Sequence, residues 1–424
     1  MRTPDLGLLR DRDYQKLFAA TTVSQFGFQI SHLAIPLVAI VSLNASPFQV
    51  GLLTTATMAP FLLVGLPAGV WVDRWRRRDV LIVTDVARAA VLLTVPLAWW
   101  AGVLTIWQLY AVALLLGGLT VFFDVAYQSY LPHLVGRENL VEGNSRLESV
   151  RAVAQLAGPA LGGQLIRVLT APVALLLDAL GLAASALFVS RIQKREQRPA
   201  ATPDRHLLRE IGEGLRFVLG HRLLRSIAAC TATANFFFGG AYMSMQILFL
   251  EREIGLHAGT IGLVLTIEGV GGLLGALAAR RLAEVLGQGP AIWLSIAASA
   301  PFALLMPLLA EPGWRVWLAA VGGAVVGFGA VAYNVTQVSF RQALTPDHLL
   351  GRMNATLRFM VWGTIPLGGL LGGALGEWLG VRSTLLVTAI GSCFAFLPVF
   401  FSPLRTMRTL PRLASPEDDV TVTR

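Results

Sequence analysis

Five ionisable side chains lie inside long apolar runs of this sequence: Asp85, Arg88, Asp124, Asp178 and Glu268. A charge at bilayer depth costs about 2.5–3.5 kcal/mol on insertion scales, so each is a candidate for function. Glu268 stands near the middle of its run, among Ile267, Gly269, Val270 and Gly271. Apolar neighbours disfavour the charge of its carboxyl, which suits a group that takes up and releases a proton. The same residue also reads as a neutral acid hydrogen-bonded across a helix interface. Asp85 and Arg88 are three apart and share a helix face. They read as a switchable ion pair or as a permanently satisfied structural one. Asp124 has Tyr127 and Gln128 on its face and fits an inner gate or proton uptake. Asp178 reads as a hydrogen-bonding residue between helices. Proton coupling is assigned to Glu268, with Asp85 and Asp124 as further candidates.

Stripes of amides and phenols come next. Gln25, Gln29 and His32 fall on one side of a helix, as do Asn235, Tyr242 and Gln246. Tyr333, Asn334 and Gln337 form a third group. Set among Phe236, Phe237 and Phe238, they suit a large amphipathic ligand held by few hydrogen bonds. Polar stripes also serve as contacts between helices.

These residues need elements that cross a membrane. Of the 424 residues 55% are hydrophobic and 14% charged, against about 45–50% and about 25% in soluble domains. The mean hydropathy is +0.64. A disordered chain, a nucleic-acid-binding module and an ordinary soluble enzyme are excluded. Apolar runs cover roughly 17–43, 48–72, 80–101, 104–126, 148–169, 171–190, 224–249, 259–279, 290–310, 315–337, 357–377 and 383–402. Each is long enough for a spanning helix, which satisfies its own backbone in lipid. The expected fold is therefore all-α and integral to the membrane, with twelve transmembrane helices. The run after residue 16 is too long for a signal-peptide core and reads as the first span.

The net charge of +9 is spread by topology. With the N-terminus inside, 29 Lys and Arg residues fall on inner segments; Arg167, Arg252, Arg315 and Arg382 fall outside, and Arg88 is within a span. That asymmetry places both termini in the cytoplasm. Cys230 and Cys393 are too few for a disulfide framework. No metal cluster is seen, and the Gly-rich runs lack the Lys-Ser/Thr of a phosphate loop, so no cofactor, metal or ATP coupling is expected.

The longest connection, 191–223, separates an N-terminal bundle (1–190) from a C-terminal one (224–402), and a tail (403–424) reads as disordered. Within the connection, Leu207, Leu208, Ile211, Leu215 and Val218 share one face of an amphipathic helix. It reads as a tether or as a docking site. The halves repeat each other at an offset of 210 residues: Gly117 meets Gly327, Asn144 meets Asn354, and Gly158, Gly162 and Gly163 meet Gly368, Gly372 and Gly373. Repeated six-helix halves point to a secondary transporter with its site between them.

From about 10 to 405 the chain resembles the major facilitator superfamily. The loop Gly69-Val-Trp-Val-Asp73-Arg74-Trp-Arg-Arg77-Arg78 is similar to that superfamily's G-x-x-x-D-R-x-G-R-R/K signature, departing at Arg76 where glycine is usual. The second-half copy, Gly275 to Arg281, has lost its acid. Gly158-Pro159-Ala-Leu-Gly162-Gly163 resembles a motif of the superfamily's exporters, in which Pro159 would kink the helix. Glu213-Gly-Leu-Arg216-Phe217, Leu131-Pro132 and Leu177-Asp178-Ala179 are similar to the branch holding the enterobactin exporter and macrolide-efflux proteins. The resemblance implies gating by these motif residues and alternating access in the inner membrane of a bacterium. It also implies export of a bulky organic compound in exchange for protons. The partners are then the small-molecule substrate, protons and the bilayer, with a monomer as the working unit and no nucleic acid. Unlike many members, the chain has no arginine from Leu109 to Tyr130. Two readings stay open beside export: an uptake or facilitative carrier for a sugar or metabolite, and a non-transporting membrane partner or sensor.

Overall fold

A computed structural model describes residues 7–72, 74–136, 138–194, 196, 207–346 and 349–409. Twelve spans follow one another. Spans 1 to 3 are Arg12–Leu37, Pro47–Leu63 continued by Gly65–Val72, and Arg77–Trp100. Spans 4 to 6 are Ile106–Val135, Leu140–Leu169 and Ala171–Ser190. A separate helix, Leu207–Gly220, precedes span 7, which runs from Arg222 to Glu253 in four pieces. Spans 8 to 10 are Ala258–Leu286, Gln288–Leu309 and Arg315–Ala343. Spans 11 and 12 are Leu350–Leu379 and Val381–Phe400. By length and composition nine helices among the described residues are able to cross a bilayer alone. Span 2 is broken after Pro60, span 5 carries Glu142, Arg146, Glu148 and Arg151 near its start, and span 7 is interrupted.

Side-chain caps set where the helices begin. Asp11 accepts from the amides of Asp13 (2.7 Å) and Tyr14 (3.1 Å) ahead of span 1. Ser46 and Gln49 form a capping box around Pro47 at the start of span 2. His257 accepts from Thr260 N–H at 3.2 Å and opens span 8. Wide π-helical turns replace regular helix at Val38–Ser42, Asn235–Tyr242 and Phe249–Glu253.

Lipid tails are as apolar as leucine, so close packing holds these helices together rather than the exclusion of water. Glycines make the approaches, and they do so twice over. A Cβ on Gly163 of span 5 would lie 3.1 Å from Gly262 Cα of span 8. A Cβ on Gly373 of span 11 would lie 3.1 Å from Gly51 Cα of span 2. Gly158 and Gly162 likewise pack on Gln29 and Ile30 of span 1, and Gly368 and Gly372 on Gly240 and Ala241 of span 7. The internal repeat is thus a spatial pseudo-symmetry between two six-helix bundles.

The bundles meet from the midplane to the face opposite the termini. Span 5 packs on span 8 from Gln155–Gly269 out to Gln164–Gly259. Span 2 packs on span 11 from Leu62–Gly363 out to Pro47–Gly376. Three ties add hydrogen bonds: Thr55 Oγ1 to Pro366 O (2.9 Å), Phe48 N–H to Glu377 Oε2 (3.3 Å), and Arg252 to Ile40 O (3.1 Å). All lie on the far side of the midplane. Toward the termini, Gly65 and Gly69 of span 2 border open space.

On the terminus side each bundle is secured within itself. Arg78 donates to the last carbonyls of span 6, Val189 (3.3 Å) and Ser190, where a cation suits the negative end of a helix. Arg77 pairs with Glu196 at 3.4 Å. Arg74 is exposed and Asp73 lies outside the described residues. Helix Leu207–Gly220 docks on span 11, with Val218 buried and Glu213 paired to Arg352. Tryptophans ring both faces: Trp100, Trp107, Trp314 and Trp378 on the far side, Trp71 and Trp75 on the terminus side.

Span 5 is helical from Leu140 to Leu169 with Pro159 inside it, where the chain packs between spans 1 and 8. Two expectations are corrected. Residues 403–409, assigned to a disordered tail, begin with a short 3-10 helix whose Leu404 is buried. Gln288 and Gly289 donate to Arg408 O (3.1 Å) and Met407 O (2.8 Å), so the start of span 9 holds this segment. Residues 410–424 lie outside the description. The span 7 stripe is split, as follows.

Candidate functional site

Glu268 lies inside the C-terminal bundle, at the crossing of spans 7, 8 and 10. Its Oε1 accepts from Gln246 Nε2 at 2.6 Å. Gly323 of span 10 leaves room for the carboxyl, which a Cβ there would crowd. Tyr242 completes the wall, its hydroxyl donating to Ala303 O at 3.1 Å and its ring stacked on Phe238 with centroids 4.9 Å apart. Phe302 and Met306 close the side toward span 9. The space left is about 10 Å³, room for about one water. That leaves no room for a bulky compound.

In the N-terminal bundle Asp85 is fully buried. It pairs with Arg88 and accepts from Ser185 Oγ at 2.7 Å. Arg88 lies over the Phe123 ring, 4.2 Å from its centroid. Asp178 accepts from Ser31 through one oxygen, and the other has no hydrogen-bond partner among the described residues. Asp124 is half-buried and makes no hydrogen bond or ion pair among the described residues. Arg88, Arg151 and Arg358 are within its electrostatic reach, the last from the other bundle.

The polar stripes disperse. Asn235 donates to Val361 O of span 11 at 2.8 Å, whereas Tyr242 and Gln246 turn to spans 9 and 8. The π-helical stretch Asn235–Tyr242 between them changes the phase of the helix, so an i, i+7 spacing no longer means one face. Tyr333 is buried and shares a hydrogen bond with Thr231 at 2.6 Å. Gln337 is buried and donates to Asn334 Oδ1 at 3.1 Å. Gln25 and Gln29 are half-buried, Gln29 packed against Gly158. His32 and Asn334 are exposed, His32 beside Phe28 at 6.1 Å. Pro159 faces Gly262, so the Gly158–Gly163 motif packs span 1 on one side and span 8 on the other.

Sequence reasoning missed two groups. Arg358 is exposed over Trp362, which meets Phe61 of the other bundle at 5.3 Å. Arg252 reaches across to span 1. The contacts across the bundles, Arg252 with Ile40 and Asn44 and Trp362 with Phe61, carry no local signal, because those partners are distant in sequence.

Two pseudo-symmetric six-helix bundles, packed through paired glycines and carrying isolated ionisable groups, define a membrane transporter of the major facilitator type. The chain belongs to the transmembrane secretion effector family, whose model matches residues 4–422. It is 30% identical to the multidrug efflux pump Tap of Mycolicibacterium fortuitum over 90% of this chain and 94% of the pump. It is 25% identical to the enterobactin exporter EntS of Escherichia coli O1:K1 / APEC over 98% of this chain and 97% of the exporter. The fold is that of the nucleoside transporter NupG, with a TM-score of 0.75 at 14% identity over 92% of this chain and all of NupG (100%). Family and relatives are transporters rather than enzymes.

Proposed function

We propose that this chain exports a bulky organic compound, in exchange for protons, by alternating access between its two bundles. The observation that carries the reading is that glycine contacts and hydrogen bonds join the bundles from the midplane to the far side, while Gly65 and Gly69 border open space toward the termini. The excess of Lys and Arg on the terminus side favours the cytoplasm there, so that face is the loading side. The named activities of Tap and EntS support efflux and a large ligand. His32, Phe28, Asn334, Arg358 and Trp362 are exposed, and they are the side chains we assign to substrate, with Gln25, Gln29 and Asn235 behind them.

Glu268 is the coupling acid in this reading. Its hydrogen-bond donor, Gln246, belongs to span 7, so gaining or losing a proton changes how span 7 is tied to span 8. Asp85 has Arg88 and Ser185 already, which favours a structural role for that pair. Asp124, unpartnered and within reach of an arginine of the other bundle, is the second coupling candidate. The protein works as a monomer in a bacterial inner membrane, with both termini in the cytoplasm.

Accumulation of a panel of antibiotics and a siderophore in efflux-deficient cells tests this. Wild type should lower accumulation, and Glu268→Gln or a protonophore should each abolish most of that difference. Extrusion that survives Glu268→Gln but not the protonophore moves coupling to Asp124 or Asp85. Extrusion of nothing by wild type sinks the export reading.

A further inference from the structure

We infer that Arg252 and Glu377 form a charge-to-dipole latch that holds the bundles together on the face opposite the termini. The inference rests on the alternating-access reading. Span 1 ends in the wide turn Val38–Ser42, and Asn44 follows in the left-handed conformation at φ 49°. The last carbonyls of a helix have no partner within it, and that end carries partial negative charge. Arg252, at the end of span 7 in the other bundle, donates from Nη2 to Ile40 O at 3.1 Å and to Asn44 Oδ1 at 3.0 Å. Span 2 begins just beyond, with its positive end foremost. There Phe48 N–H donates to Glu377 Oε2 of span 11 at 3.3 Å. The C-terminal bundle thus presents a cation to the negative end of span 1 and an anion to the positive end of span 2.

The mount of Arg252 is stiff. Glu253 accepts from the Arg382 amide at 3.2 Å and Nε at 3.4 Å, and Arg382 also donates to Pro307 O (3.0 Å) and Ala310 O (3.3 Å). The turn carrying Arg252 is therefore bound to spans 9 and 12. The duplicated fold does not require the latch. At the offset of 210, Arg252 corresponds to Ser42 and Glu377 to Arg167, so the first half holds neither sign in place. When the far ends separate, both contacts break, and the latch therefore favours the state whose cavity opens toward the termini.

The test uses the full chain in lipid nanodiscs, with Cys230→Ala and Cys393→Ala and spin labels at Val103 and Trp314. Both sites are exposed on the far face, one on each bundle. Double electron–electron resonance then reads the ratio of near to far separations. Arg252→Ala and Glu377→Gln should each raise the far fraction about threefold, and the double variant about tenfold, as fits exposed charge–dipole contacts. Arg252→Lys keeps the cation and should return most of the way to wild type. Two separations in wild type with a ratio that no variant moves would overturn the latch and leave alternating access standing. One fixed separation in wild type and every variant, across pH, would overturn alternating access and the latch with it.

Discussion

Asp85 shares its buried site with Arg88, Ser185 and the face of Phe123. Removing one partner of such a pair leaves a bare charge in low dielectric, which costs about 3–5 kcal/mol, whereas replacing both by apolar groups is often neutral. We expect Asp85→Ala to lower the thermal unfolding midpoint in detergent by several degrees. Adding Arg88→Met should restore most of it. A double variant no more stable than Asp85→Ala would mean that Arg88 is held by something other than Asp85. The spacing of Asp85 and Arg88 made their pairing legible in the sequence, because three residues on a helix means one face. Their hydrogen-bonding supports were not legible. Ser185 lies 100 residues from Asp85, and Ser31 lies 147 from Asp178.

Among the elements, span 7 and the glycine seams set how the two bundles are joined. The amides and phenols of span 7 had been legible as a stripe, but the wide turn from Asn235 to Tyr242 has no sequence mark and rotates one end against the other. That is why Asn235 serves span 11 while Gln246 serves Glu268. The seams were legible as repeated glycines, though not which helix each would meet. Because the seams are related by pseudo-symmetry, Gly163→Val and Gly373→Val should act alike. Each forces the bundles apart on the far side, at an overpacking cost of about 1–3 kcal/mol. Cross-linking of cysteines at the far ends of spans 5 and 8, or 2 and 11, should fall in both. Gly269→Ala, whose Cβ would meet Gln155 O at 3.6 Å, is the control and should leave cross-linking unchanged.

For the molecule as a whole, the bilayer made the fold readable. Apolar runs of spanning length and a lopsided distribution of arginine leave few alternatives, and contacts within helices need no distant information. Broken spans 2 and 7 were still counted, because hydropathy is blind to a wide turn or a kink. Orientation has its own check. A cysteine at Trp107, on the far face, should react with a membrane-impermeant maleimide in intact cells. One at Arg280, exposed on the terminus side, should react only after permeabilisation. The reverse pattern would invert the loading side and with it the direction of transport.

The tryptophans on the two faces carry a consequence of their own. Indoles anchor at the headgroup level, so these rings set where each bundle sits in the membrane. Trp107 belongs to the N-terminal bundle and Trp314 and Trp378 to the C-terminal one, while Trp71 and Trp75 hold the opposite leaflet. The proposed rocking motion would tilt those anchors relative to one another and bend the lipid boundary between them. Hydrophobic mismatch costs fractions of a kcal/mol per Å, comparable to the small energy differences that separate two working states. In the proposed cycle bilayer thickness therefore becomes a setting, and acyl-chain length alone should change turnover.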